Sequence, residues 1–145
     1  MKGMSLIVRT ITRLLAGFIL VYGAHIVLYG HLTPGGGFAG GVMLACGLIL
    51  LVLAFGKDGA LDIISENAAS AWDCIGALAF WLIAVLGFFF GGKYFFLNFV
   101  GKGEPFNLIS AGTLMWSNIA IGIKVWACLF LVFVVLAAFR IHDKE

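Results

Sequence analysis

Long apolar runs alternate with short polar or glycine-rich breaks along this chain. The first run, residues 14–29, follows Lys2, Arg9 and Arg13. A basic start before an apolar core is also the pattern of a signal peptide. No small-x-small cleavage site follows, and Pro34 with a set of glycines comes instead, which predicts an uncleaved span of about residues 6–29. The second run predicts a span over about 34–55, with Thr33 as N-cap and Pro34 at the first helical position. Its 22 residues reach about 33 Å at about 1.5 Å per residue, enough to cross a bilayer with modest tilt. The next stretch, 56–70, is polar and carries Lys57, Asp58, Asp62 and Glu66. Leu61, Ile64, Ala68 and Ala71 recur there at helical spacing and predict a short interfacial amphipathic helix. A third span is predicted over about 72–90, with Asp73 near its start, where the positive end of the helix dipole favours a carboxylate. Residues 91–117 form the longest connection, rich in glycine and aromatic side chains, and the fourth span is predicted over about 118–139, closed by Arg140. The pattern as a whole predicts an all-α polytopic membrane protein with four transmembrane helices.

Composition agrees with that pattern and narrows what the chain does. Its 145 residues are 63% hydrophobic and only 11% charged, against about 25% charged in soluble domains. Mean hydropathy is +1.13. A net charge of +2 gives no basis for a nucleic-acid partner. Cys46, Cys74 and Cys128 stand alone in or beside apolar runs, without CxxC spacing, so they read as inert thiols rather than as disulfide or metal ligands. With four spans both termini share a side, which collects Lys2, Arg9, Arg13, Lys57, Arg140 and Lys144, while the other side has Lys93 and Lys102. That asymmetry predicts cytoplasmic termini, with the turn after the first span and the longest loop facing outward.

Candidate chemistry is sparse. Lys124 is the one charged residue placed well inside a predicted span, where a lysine costs about 2.5–3.5 kcal/mol on insertion scales and calls for a partner, a water-filled cavity or a route to the interface. It follows Asn118 by six positions, about 9 Å, so a snorkelling ammonium and a place on an ion route are both open readings. His25, one turn inside the first span, and His31, in the turn, are the residues with proton chemistry near neutral pH; each also reads as a headgroup-level histidine. A bound haem is not expected, because His25 and His31 are poorly spaced on one helix and His142 lies on the other side. The turn itself places five glycines within residues 35–41. Gly36 with Gly40, and Gly37 with Gly41, form overlapping small-xxx-small pairs, so a second helix carrying them would present a nearly bare face to a close neighbour. A phosphate loop is a poor match, since no lysine and Ser/Thr follow the glycines. No acidic residue is expected deep in a span, so the chain by itself lacks the oxygen ligands a hard cation prefers.

The turn Gly30-His31 followed by Pro34-Gly35-Gly36-Gly37-Phe38 and Gly40-Gly41 resembles the MnhB/MrpB family, small four-span subunits of Mrp-type multisubunit cation/proton antiporters. The run Asn118-Ile119-Ala120-Ile121-Gly122-Ile123-Lys124-Val125 extends the likeness, more loosely, into the last span. The resemblance implies a single MnhB-like membrane domain over residues 1–145, acting as a non-catalytic subunit in a prokaryotic cell membrane. The expected partners are other Mrp-type antiporter subunits, Na⁺ and H⁺, with no cofactor and no metal held by this chain. Related modules also occur in membrane-bound hydrogenases and ferredoxin-oxidising complexes, and Leu32-Thr33, where antiporter members often carry asparagines, resembles the hydrogenase-associated branch. In this setting Pro34 to Phe38 with Gly40 and Gly41 form a packing or subunit interface, while His25, His31 and Lys124 border an ion pathway. The alternative class is a stand-alone small transporter or a haem-bearing membrane anchor; no internal repeat between the halves supports a stand-alone carrier.

Overall fold

A computed structural model describes residues 4–56, 65–91 and 94–142. Four helices account for most of them: α1 (Leu6–Leu28), α2 (Gly36–Phe55), α3 (Glu66–Gly91) and α4 (Thr113–His142). All four are long and apolar enough to cross a membrane, and the described residues contain no strand. A helix is the form these runs must take, because hydrocarbon offers no partner for an unpaired backbone amide or carbonyl. The helices pack as a row in which α2 and α4 are central, α1 lies against α2 and α3 against α4. The Met4 N–H donates to the Ala54 carbonyl at 3.2 Å, which ties the start of α1 to the end of α2. The start of α1 and the end of α4 therefore share one end of the bundle, and the α1–α2 turn lies at the other.

The helix starts differ from the sequence expectation. Thr33 and Pro34 do not open α2. Thr33 Oγ1 donates instead to the Tyr29 carbonyl at 3.0 Å, satisfying a C-terminal group of α1. The chain then turns through Gly35 (φ 121°) and Gly36 (φ 63°), values that a side chain resists, so these two glycines are required by the backbone itself. The α3 helix begins at Glu66, six residues before the expected start. Ser65 caps it, its Oγ accepting the Ala68 N–H at 3.2 Å, and Glu66 places a carboxylate in the first turn. Of the expected interfacial helix, Leu61 and Ile64 lie outside the described residues, while Ala68 and Ala71 belong to α3. The α4 helix begins at Thr113, five residues early, with the Thr113 N–H bonded to Asn98 Oδ1 at 3.1 Å.

Two kinds of packing hold the row together. Toward the end holding the termini, Leu48 and Val52 of α2, Ala69 of α3, and Phe130 and Val134 of α4 form a side-chain core. Toward the turn end the contacts are between backbones. The connection after α3 also runs back along that helix: Phe96 packs on Phe80 with centroids 5.2 Å apart, and a Cβ on Gly87 would meet the Leu97 amide nitrogen at 2.8 Å. The second half of α3 is thus lined by its own loop, and the first half by α4.

Candidate functional site

The glycines at the turn end are used inside the chain. A Cβ on Gly40 would lie 2.8 Å from the Val27 amide nitrogen and 2.9 Å from the Gly23 carbonyl, so Gly40 faces α1. Gly37 and Gly41 face α4 instead. A side chain on Gly37 would collide with the Asn118 carbonyl, and a Cβ on Gly41 would lie 2.7 Å from the Gly122 carbonyl. Gly122 in turn leaves room for Val27, which a Cβ there would approach to 2.9 Å. Three helices therefore meet at one level with almost no side-chain volume between them. Asn118 completes the junction by accepting the Gly37 N–H through Oδ1 at 3.4 Å. That amide is one of the orphan donors at the start of α2, so a residue of α4 supplies the cap that Thr33 was expected to give. Pro34, Gly35 and Phe38 stay exposed, Phe38 at 63%.

Deeper along α4, Lys124 is the twelfth helical residue, about 16 Å from the helix start rather than about 9 Å. Its ammonium does not run to the interface. Nζ lies 3.1 Å from Asp73 Oδ1 on α3, and Cys128, one turn further, flanks it. Asp73 is the eighth residue of α3 and so sits about 10 Å into that helix, not at its mouth. The expectation that no carboxylate lies inside a span is corrected here, and the cause is the early start of α3. Gly76 makes the pair possible: a Cβ on it would meet the Lys124 amide nitrogen at 2.7 Å, so the two helices cross in backbone contact one turn from Asp73. In a medium of low dielectric an ammonium and a carboxylate at this distance stabilise each other's charged forms far more than in water. The pair is not enclosed, with side-chain exposures of 41% for Lys124 and 29% for Asp73.

The two histidines stand elsewhere. His25 is exposed and stacks on Tyr29, ring centroids 4.6 Å apart. His31 Nε2 lies 3.3 Å from the Asn107 carbonyl, pinning the α1–α2 turn to the loop before α4. Among the described residues no hydrogen bond or ring contact joins either histidine to the Lys124–Asp73 pair. Sequence reasoning missed Asp73, Gly76 and the capping role of Asn118. The signal for Asp73 was available, since one lysine and one aspartate stood in two otherwise uncharged spans.

Among the described residues, four apolar helices, a backbone-contact junction and an ion pair between spans define a small multi-pass membrane protein. A family model described as a domain related to the MnhB subunit of Na⁺/H⁺ antiporter matches residues 7–131. The chain belongs to the MnhB family. It is 39% identical over 115 residues to an uncharacterized protein of Methanocaldococcus jannaschii, a match covering 75% of this chain and 43% of that protein. It is 34% identical over 94 residues to a Staphylococcus aureus protein bearing the name of an antiporter subunit, mnhB2, covering 65% of this chain and 66% of the relative. The chain thus spans less than two thirds of the length of either relative.

Proposed function

We propose that this chain is a non-catalytic, multi-pass subunit of an Mrp-type cation/proton antiporter module in a prokaryotic cell membrane, with its termini in the cytoplasm. The observation that carries this reading is the Asp73–Lys124 pair. A carboxylate already held by an ammonium is a poor cation ligand, and hard cations want several oxygens. A chain whose described spans offer so little serves ion movement as part of an assembly, and the family name of its relatives supplies the kind of assembly. Within it, Lys124 and Asp73 border the ion route, with His25 and His31 at the outer mouth. The Leu32-Thr33 departure favours a module coupled to hydrogenase or ferredoxin-oxidising subunits, and the six-to-two asymmetry of basic residues favours cytoplasmic termini.

The test is Na⁺-dependent proton release from everted vesicles containing the complete complex, read by dequenching of a pH-sensitive dye. Lys124→Ala is expected to abolish the Na⁺-dependent signal per assembled complex, with the amount of complex measured in the same membranes. Unchanged exchange in that variant would remove Lys124 from the route.

A further inference from the structure

We propose that the flank of α3 beside the Asp73–Lys124 pair is a docking surface for a membrane-spanning helix of another subunit, one that carries an oxygen acceptor at the depth of Lys124. This inference rests on reading the chain as one subunit of an assembly. Its starting point is that the glycine face expected to receive a neighbour is already filled by α1 and α4 of this chain. A partner must therefore use another surface.

The α3 flank has what such a partner needs. At 100° per residue, Ser70, Cys74 and Ala77 lie to one side of Asp73, and all three are exposed. Ala69 and Gly76 lie to the other side and are buried. The returning loop lines α3 from Phe80 to Gly87 and stops short of this stretch. Small residues at one-turn spacing let a second backbone come close, and Trp81, 62% exposed, bounds the patch.

The ion pair says what the partner carries. An ammonium has three N–H donors, and Asp73 accepts through one oxygen while Cys128 is a weak acceptor. With 41% of the Lys124 side chain open, lipid tails would leave the remaining donors without acceptors. A carboxylate, amide or hydroxyl oxygen on a facing helix satisfies them. The small-residue stripe sets how close that helix comes, and the open charge pair sets its chemistry.

The experiment places a benzophenone amino acid at Ala77, and separately at Trp81, in the complete complex in native membranes, followed by illumination and mapping of the adduct by mass spectrometry. The Trp81 position already holds a large aromatic ring, so it keeps the test open if the Ala77 variant does not assemble. The expected adduct is to a membrane-spanning helix of a different subunit with Asp, Glu, Asn, Gln, Ser or Thr within one turn of the attachment point. Lys124→Met should then lower the adduct yield about three- to twenty-fold, the range a polar contact between membrane helices supports. Adducts to lipid, to a second copy of this chain or to a helix with only apolar residues at that level overturn the proposal, as does no adduct at either position. Exchange measured in the same membranes separates the two claims. A polar-helix adduct without Na⁺/H⁺ exchange overturns the antiporter reading alone, and exchange with a lipid adduct overturns the docking surface alone.

Discussion

The seam between α2 and α4 is built in two ways along its length. At the end holding the termini it is a contact of large side chains: Phe130 is 2% exposed, with Val134, Leu48 and Val52 around it. At the turn end Gly37, Gly41 and Gly122 bring the two backbones together, and Asn118 bonds across the contact. In water both would be driven by expulsion of solvent. In lipid that drive between helices is missing, and what is left is close packing and satisfied polar groups. The side-chain core adapts to a lost atom by small shifts, whereas the glycine seam has backbone on both sides and nothing to move. The first sets how strongly the helices adhere, and the second sets their register and distance.

That contrast is breakable by substitution. The largest effect is expected from Gly37→Leu, because the new side chain points at the Asn118 carbonyl. Overpacking usually costs about 1–3 kcal/mol where side chains can yield, and a backbone obstacle places this variant at or above the top of that range. Loss of a monodisperse peak in detergent would show it, and a normally behaved variant would refute the seam. Asp73→Asn comes next. It leaves Lys124 charged without its carboxylate, and the cost is about 1–3 kcal/mol once the partial exposure of both groups is allowed for. Thermal unfolding of the single variants and of Asp73→Asn/Lys124→Met makes a double-mutant cycle, in which the double variant should recover most of the loss.

Phe130→Ala probes the other half of the seam. In a soluble core this change costs about 3–5 kcal/mol, and in lipid, without the transfer component, about 2 kcal/mol is expected, as a lower midpoint with retained assembly. The smallest effect is expected from Asn118→Ala, which removes a 3.4 Å bond and leaves the glycine contacts in place. About 0.6 kcal/mol is the average for a polar contact between membrane helices. If Asn118→Ala proved more damaging than Gly37→Leu, the seam would be held by its hydrogen bond and not by its shape.

Much of this architecture is legible from residue order. Four apolar runs of bilayer length admit little but four helices, and the observed spans overlap the expected ones throughout. The misplaced starts of α2 and α4 share one cause, since a cap can come from a residue that local pattern does not single out, whereas α3 is capped by the adjacent Ser65. Asn118 lies 81 positions from the amide it caps, and Asn98 caps α4 from within a loop. The glycine face was equally plain in the sequence, but its neighbour was not. A bare face states that something comes close without stating whether it belongs to the same chain.

The charged pair divides the two sources of information most sharply. By itself the sequence determined that this is a four-span membrane protein, that Lys124 needs a partner, and that the glycine-rich turn begins a helix able to pack closely, because hydropathy, span length and the cost of an unpaired charge depend only on residue type and order. Only the tertiary structure decided that the partner is Asp73 and that the glycines face α1 and α4. The reason is geometric: Asp73 and Lys124 meet because Gly76 lets two antiparallel helices cross with their backbones in contact, and no periodicity within either helix specifies that crossing.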